Sequence, residues 1–343
     1  MSEIKVVIDA MGGDNAPVQP VKGAVEALER ESGFSVILTG DESVIKAELA
    51  KYTYDADRVT IVHADEVIET GEHPVAAIRK KRNSSLVVGE RMLRNGEASG
   101  FISAGSTGAV LAGGQLIVGR LPGVERAPLA VLIPTLKGVS LLVDCGANVD
   151  ARSSPLVQCA RMGTIYMKNI IGVAEPTVGL VNIGVEEEKG NALCKETFPL
   201  LKACEDIRFI GNVESREIPN GAADILVCEG FTGNIILKLY EGTASALTKM
   251  IKQGMMSTLR SKIGGLLVKP ALKETLKSLD ASEYGGAPML GLSGLVMKTH
   301  GNSTSKEVAN SVIQCVNFAR LDLTEKIKEA LAQKPEQGGE NGI

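Results

Sequence analysis

Four short stretches place glycines, hydroxyls, amides and carboxylates directly after apolar runs of strand length. They are DAMGGD from Asp9 to Asp14, SAGSTGA from Ser103 to Ala109, DCGAN from Asp144 to Asn148, and EGFTGN from Glu229 to Asn234. The second follows Phe101-Ile102 and precedes a helix-like run from Val110 to Val118. Gly105 and Gly108, with Ser103, Ser106 and Thr107, let backbone N–H groups point outward where a strand turns into a helix. A helix start of this kind favours an anion such as phosphate. Gly12, Gly13 and Gly233 permit the same close approach in the other turns. In an open α/β fold, loops after the carboxyl ends of strands gather along one crevice. The four turns are therefore expected to form one site.

The residues themselves point to an anion-binding enzyme, and one chemistry such a site permits without a catalytic triad is acyl transfer to an anion. If the nucleophile is already an anion, no base is needed to deprotonate a protein hydroxyl. The site must hold that anion beside an acyl carbonyl and stabilise the developing oxyanion. Backbone N–H groups with Ser103, Ser106, Thr107, Asn148, Lys189 and Asn234 fit those tasks. Asp9, Asp14, Asp144 and Glu229 could order the loops or a metal; they do not suit direct phosphate contact unless a cation intervenes. No GxxxxGK[ST] occurs, no GxGxxG follows the first strand, and GxSxG and HExxH are missing. His63, His73 and His300 are scattered, so no zinc site is expected and no metal ligand is assigned. The six cysteines form no CxxC pair and mostly sit in apolar runs, as reduced buried residues do.

The elements that must position these turns alternate. Ile4 to Ile8, Phe34 to Leu38 and Val59 to Val62 read as strands, with helices from Pro17 to about Glu31 and from Gly40-Asp41-Glu42 through Leu49. That βαβαβ order signals a parallel sheet. One long helix is expected from Pro74 to Asn95-Gly96, carrying the basic run Arg79 to Arg82, a candidate docking patch for an acidic partner. Leu129 to Ile133 and Val139 to Val143 suit an antiparallel hairpin. Further helices are expected over Pro155 to Lys168 and Asn191 to Cys204, and strands over Thr177 to Ile183, Ile207 to Ile210 and Asp224 to Cys228. The stretch 229–234 reads as a loop with a helix after it. Tyr284 to Pro288 is a glycine turn, and Leu292 to Met297 an apolar run. Thr304 and Glu307 have capping-box spacing before a last helix to about Ala332.

From 254 to 277, Met255, Met256, Leu259, Ile263, Leu266 and Leu267 recur at helical spacing among basic residues, with Gly264-Gly265 and Pro270 as interruptions. Such a stripe can serve a membrane surface, a partner helix, an acyl chain or a dimer contact. Net charge of −4, no Trp and 3% aromatic residues argue against nucleic-acid binding. No signal-peptide pattern or membrane-length apolar run occurs, so a cytoplasmic chain is expected. Residues 1–332 are expected to form a single α/β unit, or two intimate lobes, and 333–343 a disordered tail.

DAMGGD, SAGSTGA, VDCGAN from Val143, GNVE from Gly211, GFTGN from Gly230, YGGAPMLG from Tyr284 and HGNS from His300 run in order along nearly the whole chain. In these stretches the sequence closely resembles the bacterial phosphate acyltransferase (PlsX) family. One departure is Glu229, where the family's usual turn has Asp; it keeps the charge and moves the carboxylate outward. The resemblance implies a doubly wound, mostly parallel sheet like that of isocitrate and isopropylmalate dehydrogenases and phosphotransacetylase, without a nicotinamide or other cofactor. It implies a homodimer that converts acyl-[acyl-carrier protein] and inorganic phosphate to acyl phosphate and free carrier protein. The product would feed a membrane glycerol-3-phosphate acylation at the start of phospholipid synthesis.

Joined to the residues, the resemblance implies that Asp9, Gly12, Gly13, Asp14, Ser103 to Gly108, Asp144, Asn148, Glu229 and Gly233 bind phosphate or substrate. Lys189 and Asn234 would act on the reacting groups, with His300 protonating the leaving thiolate. Met256, Leu259, Ile263, Leu266 and Leu267 would touch the membrane or a partner, giving a cytoplasmic, peripherally membrane-associated enzyme. The alternatives are a short-chain phosphotransacetylase using acetyl-coenzyme A, a non-catalytic carrier-protein or membrane-binding scaffold and, more weakly, a decarboxylating dehydrogenase.

Overall fold

The computed structural model describes residues 3–278 and 285–332. In chain order the first elements are β1 (Ile4–Asp9), α1 (Val18–Arg30), β2 (Phe34–Gly40), α2 (Glu42–Leu49), β3 (Val59–His63), α3 (Pro74–Lys80), α4 (Ser85–Arg94), β4 (Gly100–Ser103) and α5 (Thr107–Gly113). The middle of the chain gives β5 (Ala130–Thr135), β6 (Gly138–Val143), α6 (Ser153–Tyr166), β7 (Thr177–Asn182), α7 (Ala192–Lys202), β8 (Arg208–Glu214) and β9 (Ile225–Val227). Last come α8 (Gly230–Met256), α9 (Leu259–Ser278), β10 (Ala287–Pro288), β11 (Leu295–Lys298), α10 (Ser305–Arg320) and α11 (Leu323–Ala332).

The strands divide between two sheets. The first has the order β10-β11-β4-β1-β2-β3 and is parallel except where β10 meets β11. The second has the order β5-β6-β9-β7-β8 and is parallel except for the β5–β6 hairpin. Every residue of β2 is buried, as expected of a parallel strand covered on both faces. Val6, Ile8 and Leu38 of the first sheet and Leu141, Val143 and Leu180 of the second belong to one apolar cluster, so the sheets share a core. Parallel pairing aligns the strand ends. The loops after β1, β4 and β11 therefore leave one edge of the first sheet, and those after β6, β7 and β9 leave one edge of the second.

Several expected boundaries shift. The helix expected from Pro74 to Gly96 breaks after Lys80, and Ser84 restarts it by accepting from Val87 N. Within the basic run, Lys81 is tied to Glu72 and to the Val67 carbonyl. The stretch after Glu229 is not a loop: α8 begins at Gly230, and Gly233 and Asn234 lie in its opening turns. The apolar hairpin thus starts well before 254, with all of α8 as one arm. The second arm, α9, runs unbroken through Gly264, Gly265 and Pro270. A Cβ on Gly265 would lie 3.3 Å from Met255 Cβ, so this glycine lets the arms approach. Pro270 deprives only the carbonyl of exposed Leu266, which water can reach. Strand β8 continues through Gly211 to Glu214, with a bulge opposite β7. The last helix is interrupted at Asp322, at φ 53°. The capping box of Thr304 and Glu307 is present. Tyr284 and the 333–343 tail fall outside the described residues.

Candidate functional site

The loops after β1, β4 and β11 interlock. Asp9, the last residue of β1, is buried; its Oδ2 accepts from Ser103 Oγ at 2.7 Å and its Oδ1 from Met11 N at 3.2 Å. Ser103 Oγ in turn accepts from Gly105 N at 3.0 Å, which folds the turn back on itself. A Cβ on Gly12 would lie 2.8 Å from Gly105 N, and one on Gly13, at φ +96°, 2.8 Å from the Gly301 carbonyl. Asp14 N donates to that same carbonyl at 2.7 Å. α5, which continues into a π-helical turn over Gly114–Val118, starts at exposed Thr107 with no side-chain cap. Gly108 sits against Pro74, where a Cβ would come within 2.6 Å.

The loops after β6 and β9 form a second pair. Asp144 is buried and accepts from Leu129 N at 3.1 Å, Ala147 N at 3.0 Å, Asn148 N at 2.9 Å and Asn148 Nδ2 at 2.7 Å. The Asn148 carbonyl accepts from Gly230 N at 2.8 Å. A Cβ on Gly233 would collide with the Asp144 carbonyl, so glycine serves contact here rather than a turn. Glu229 is the α8 N-cap, accepting from Thr232 N at 3.1 Å and Thr232 Oγ1 at 2.5 Å. Half-buried Asn234 faces Gly146.

The four expected turns thus meet as two pairs, one per sheet. His300, exposed on the first sheet's edge, lies 4.0 Å from the Glu241 carboxylate of α8, linking the two edges. Lys189 sits in the loop after β7, on the second sheet's edge, with its carbonyl held by Asn182 Nδ2 at 3.1 Å. Its exposed ammonium makes no hydrogen bond or ion pair among the described residues.

Burial raises the pKa of Asp9 against the pull of hydrogen bonds from Ser85, Ser103, Met11 and Gly12. Burial likewise raises Asp144, opposed by its N–H donors. On α4, the buried Glu90 carboxyl has no hydrogen-bond partner among the described residues and is pushed well up by desolvation and then by Asp9. Cys145, Cys159 and Cys228 are buried and their thiols are held well above the ordinary range by desolvation, so none is an activated nucleophile. One residue escaped the sequence reading. Lys298, the last residue of β11, is 7% exposed and its Nζ donates to the carbonyls of Ala104, at 3.4 Å, and Thr299. The signal was a lone lysine closing the apolar run Leu292 to Met297.

Residues 4–326 match the family described as "Fatty acid synthesis protein". A curated phosphate acyltransferase of Clostridium novyi (strain NT) is 49% identical over 331 residues, covering 96% of this chain and 99% of the relative. The chain belongs to this family. Another phosphate acyltransferase, from Alkaliphilus oremlandii (strain OhILAs), is 46% identical over 329 residues, at 96% and 98% coverage. The chain is accordingly an enzyme, an acyltransferase. Among solved structures, a phosphotransacetylase from Streptococcus pyogenes superposes with a TM-score of 0.61 at 16% identity, covering 93% of this chain and 94% of that one. EutD phosphotransacetylase from Staphylococcus aureus gives 0.59 at 18% identity, with the same coverage. The family member described here has that phosphotransacetylase-like α/β fold.

Proposed function

We propose that the enzyme transfers a long-chain acyl group from acyl-carrier protein to inorganic phosphate, releasing acyl phosphate and free carrier protein for phospholipid synthesis. The observation that carries this reading is a pair of glycine-rich loop clusters at the carboxyl edges of both sheets, with no activated protein nucleophile beside them. In this reading phosphate lies on the Ser103–Gly108 turn and is held also by Asn148, Asn234 and the exposed ammonium of Lys189. A phosphate oxygen attacks the thioester carbonyl, backbone amides and Asn234 stabilise the tetrahedral oxyanion, and the thiolate leaves. His300, within reach of Glu241, supplies the proton that the thiolate takes up. Asp144 and Glu229 brace the loops and touch no substrate.

The acidic carrier protein docks on basic surface. Arg79 and Arg82 are one candidate. Another is the set Arg120, Arg126 and Arg152, which surround a cavity of about 610 Å³ together with Glu125 and Asp150. The α8–α9 hairpin supports a peripheral membrane role and a homodimer. Leu266 and Leu267 are 72% and 77% exposed, and Met256, Leu259 and Ile263 are exposed beside them. So large an apolar surface calls for a lipid or protein cover. No helix among the described residues is long and apolar enough to cross a membrane. Replacing Leu266 and Leu267 together by Glu is expected to abolish sedimentation with anionic vesicles; unchanged sedimentation removes the anchor.

The test of the reaction is phosphate-dependent release of carrier-protein thiol from purified long-chain acyl-carrier protein, with the product trapped by hydroxylamine. Equal yields of thiol and hydroxamate are expected. Preference for acetyl-coenzyme A would replace this reading with a short-chain phosphotransacetylase. Tight carrier binding without turnover would replace it with a scaffold.

A further inference from the structure

The Ser103–Gly108 turn has a problem as an anion site: it stands beside carboxylates. Asp9 is bonded to Ser103, inside the turn, and exposed Asp14 follows Gly13 in the neighbouring loop. Carboxylate charge beside a phosphate would repel it, and most strongly from buried Asp9, where water screens least. The nearby Glu90 carboxyl is pushed well up by burial and by Asp9, which disfavours a further negative charge there. The counter-charge comes from the other end of the chain. β11 pairs with β4 so that Lys298 lies opposite Ser103. Its side chain runs beneath the turn, buried, with Nζ on the Ala104 carbonyl, and its charge interacts with both Asp9 and Asp14.

We propose that Lys298 is the positioning residue that makes this turn receptive to phosphate. Its ammonium offsets the charge of Asp9 and Asp14, and by holding the Ala104 carbonyl it leaves the N–H groups of Ser106 and Thr107, beyond the Gly105 N–H that turns back to Ser103, for the anion. The assignment rests on the reading that phosphate occupies the Ser103–Gly108 turn. It adds the cation that the acidity of the surrounding loops requires. Burial lowers the lysine to about 8 while the two aspartates pull it back up, as expected of a cation kept charged by its neighbours rather than by water.

The experiment is steady-state kinetics of the intact enzyme, with inorganic phosphate varied at saturating acyl-carrier protein, on four variants. Lys298→Met leaves the Asp9 charge uncompensated; phosphate KM is expected to rise about tenfold or more, with kcat at saturating phosphate held within about threefold. The double variant Lys298→Met with Asp9→Asn restores the charge balance and should recover phosphate KM to within about threefold of wild type. A lysine that only supported packing would give additive losses instead, and additivity overturns the assignment. If Lys298→Met does not fold, Lys298→Gln keeps a donor for the Ala104 carbonyl without the charge; an unchanged phosphate KM there overturns it equally. Thr107→Pro separates the two readings. It deletes one outward N–H at a first helical position where proline fits, after a residue at φ −49° and ψ 120°. A normal phosphate KM in Thr107→Pro means that phosphate does not sit on this turn, and both readings fall. A raised KM in Thr107→Pro beside a normal one in Lys298→Met removes only the lysine.

Discussion

Asp9 and Asp144 hold matching places in the two sheets. Asp9 ends β1 and Asp144 directly follows β6; both are buried, both are raised by burial, and both brace the loop that follows. Their partners differ. Asp144 is surrounded by N–H groups, three from backbone and one from Asn148, which can only donate. Asp9 bonds to the Ser103 hydroxyl, which can turn and accept, and to Met11 N, and a buried lysine, Lys298, lies opposite Ser103 in the sheet. The second-sheet carboxylate is a fixed strut. The first-sheet carboxylate is part of an adjustable, charge-balanced floor.

The largest effect should come from an isosteric change at the strut. Asp144→Asn turns one acceptor oxygen into a donor facing N–H groups, and is expected to cost roughly 3–5 kcal/mol of unfolding free energy. Asp9→Asn, whose hydroxyl partner Ser103 can reorient, is expected to cost about 1–2 kcal/mol. Urea unfolding of both variants measures the contrast. Equal losses would mean that the donor types do not distinguish the two sites.

Much of this arrangement was legible in the sequence because it is local. The start of α2 at Gly40-Asp41-Glu42, the Thr304–Glu307 capping box and the β5–β6 hairpin follow from neighbouring residues. The loop clusters were legible too, since small polar residues after apolar runs mark strand ends. What escaped depends on distant pairing. The division into two sheets requires β11 to return from the end of the chain beside β4, and only that pairing puts Lys298 under Ser103. In the sequence, Lys298 is one lysine among many. Gly230 and Gly233 misled for a different reason. They suggested a loop, yet they are helical and small because Asn148 and Asp144 press against them. The break after Lys80 went unseen because Ser84, its cap, sits in a run otherwise good for helix.

An intermediate effect separates the two sites by pH. Lys298 is lowered from 10.5 to about 8 in the folded enzyme. Between those values the unfolded chain holds a proton that the folded one has released, so this group makes stability rise with pH across the window. Below about 8 the lysine is charged in both states and its desolvation cost is fully present. Wild type is therefore expected to gain stability relative to Lys298→Met as pH rises from 8 to 10.5, while its difference from Asp144→Asn stays flat. Paired denaturation curves across that range test both halves. A flat lysine difference would show that the floor carries no buried cation. Loss of the charge should also raise phosphate KM over the same window.

The smallest effect concerns Glu229, the second cluster's remaining carboxylate. It caps α8 through Thr232 N and Thr232 Oγ1, the work that Asp does at many helix starts with one methylene fewer. Glu229→Asp should therefore preserve the cap, change stability by no more than about 0.5 kcal/mol, and leave kcat within about twofold. Thermal melting and turnover on long-chain acyl-carrier protein check both numbers. A loss of turnover beyond tenfold with an unchanged melt would require the Glu229 carboxylate to reach the reacting groups. The strut cluster would then be catalytic on its own account, and the division of labour between the two sheets would have to be redrawn.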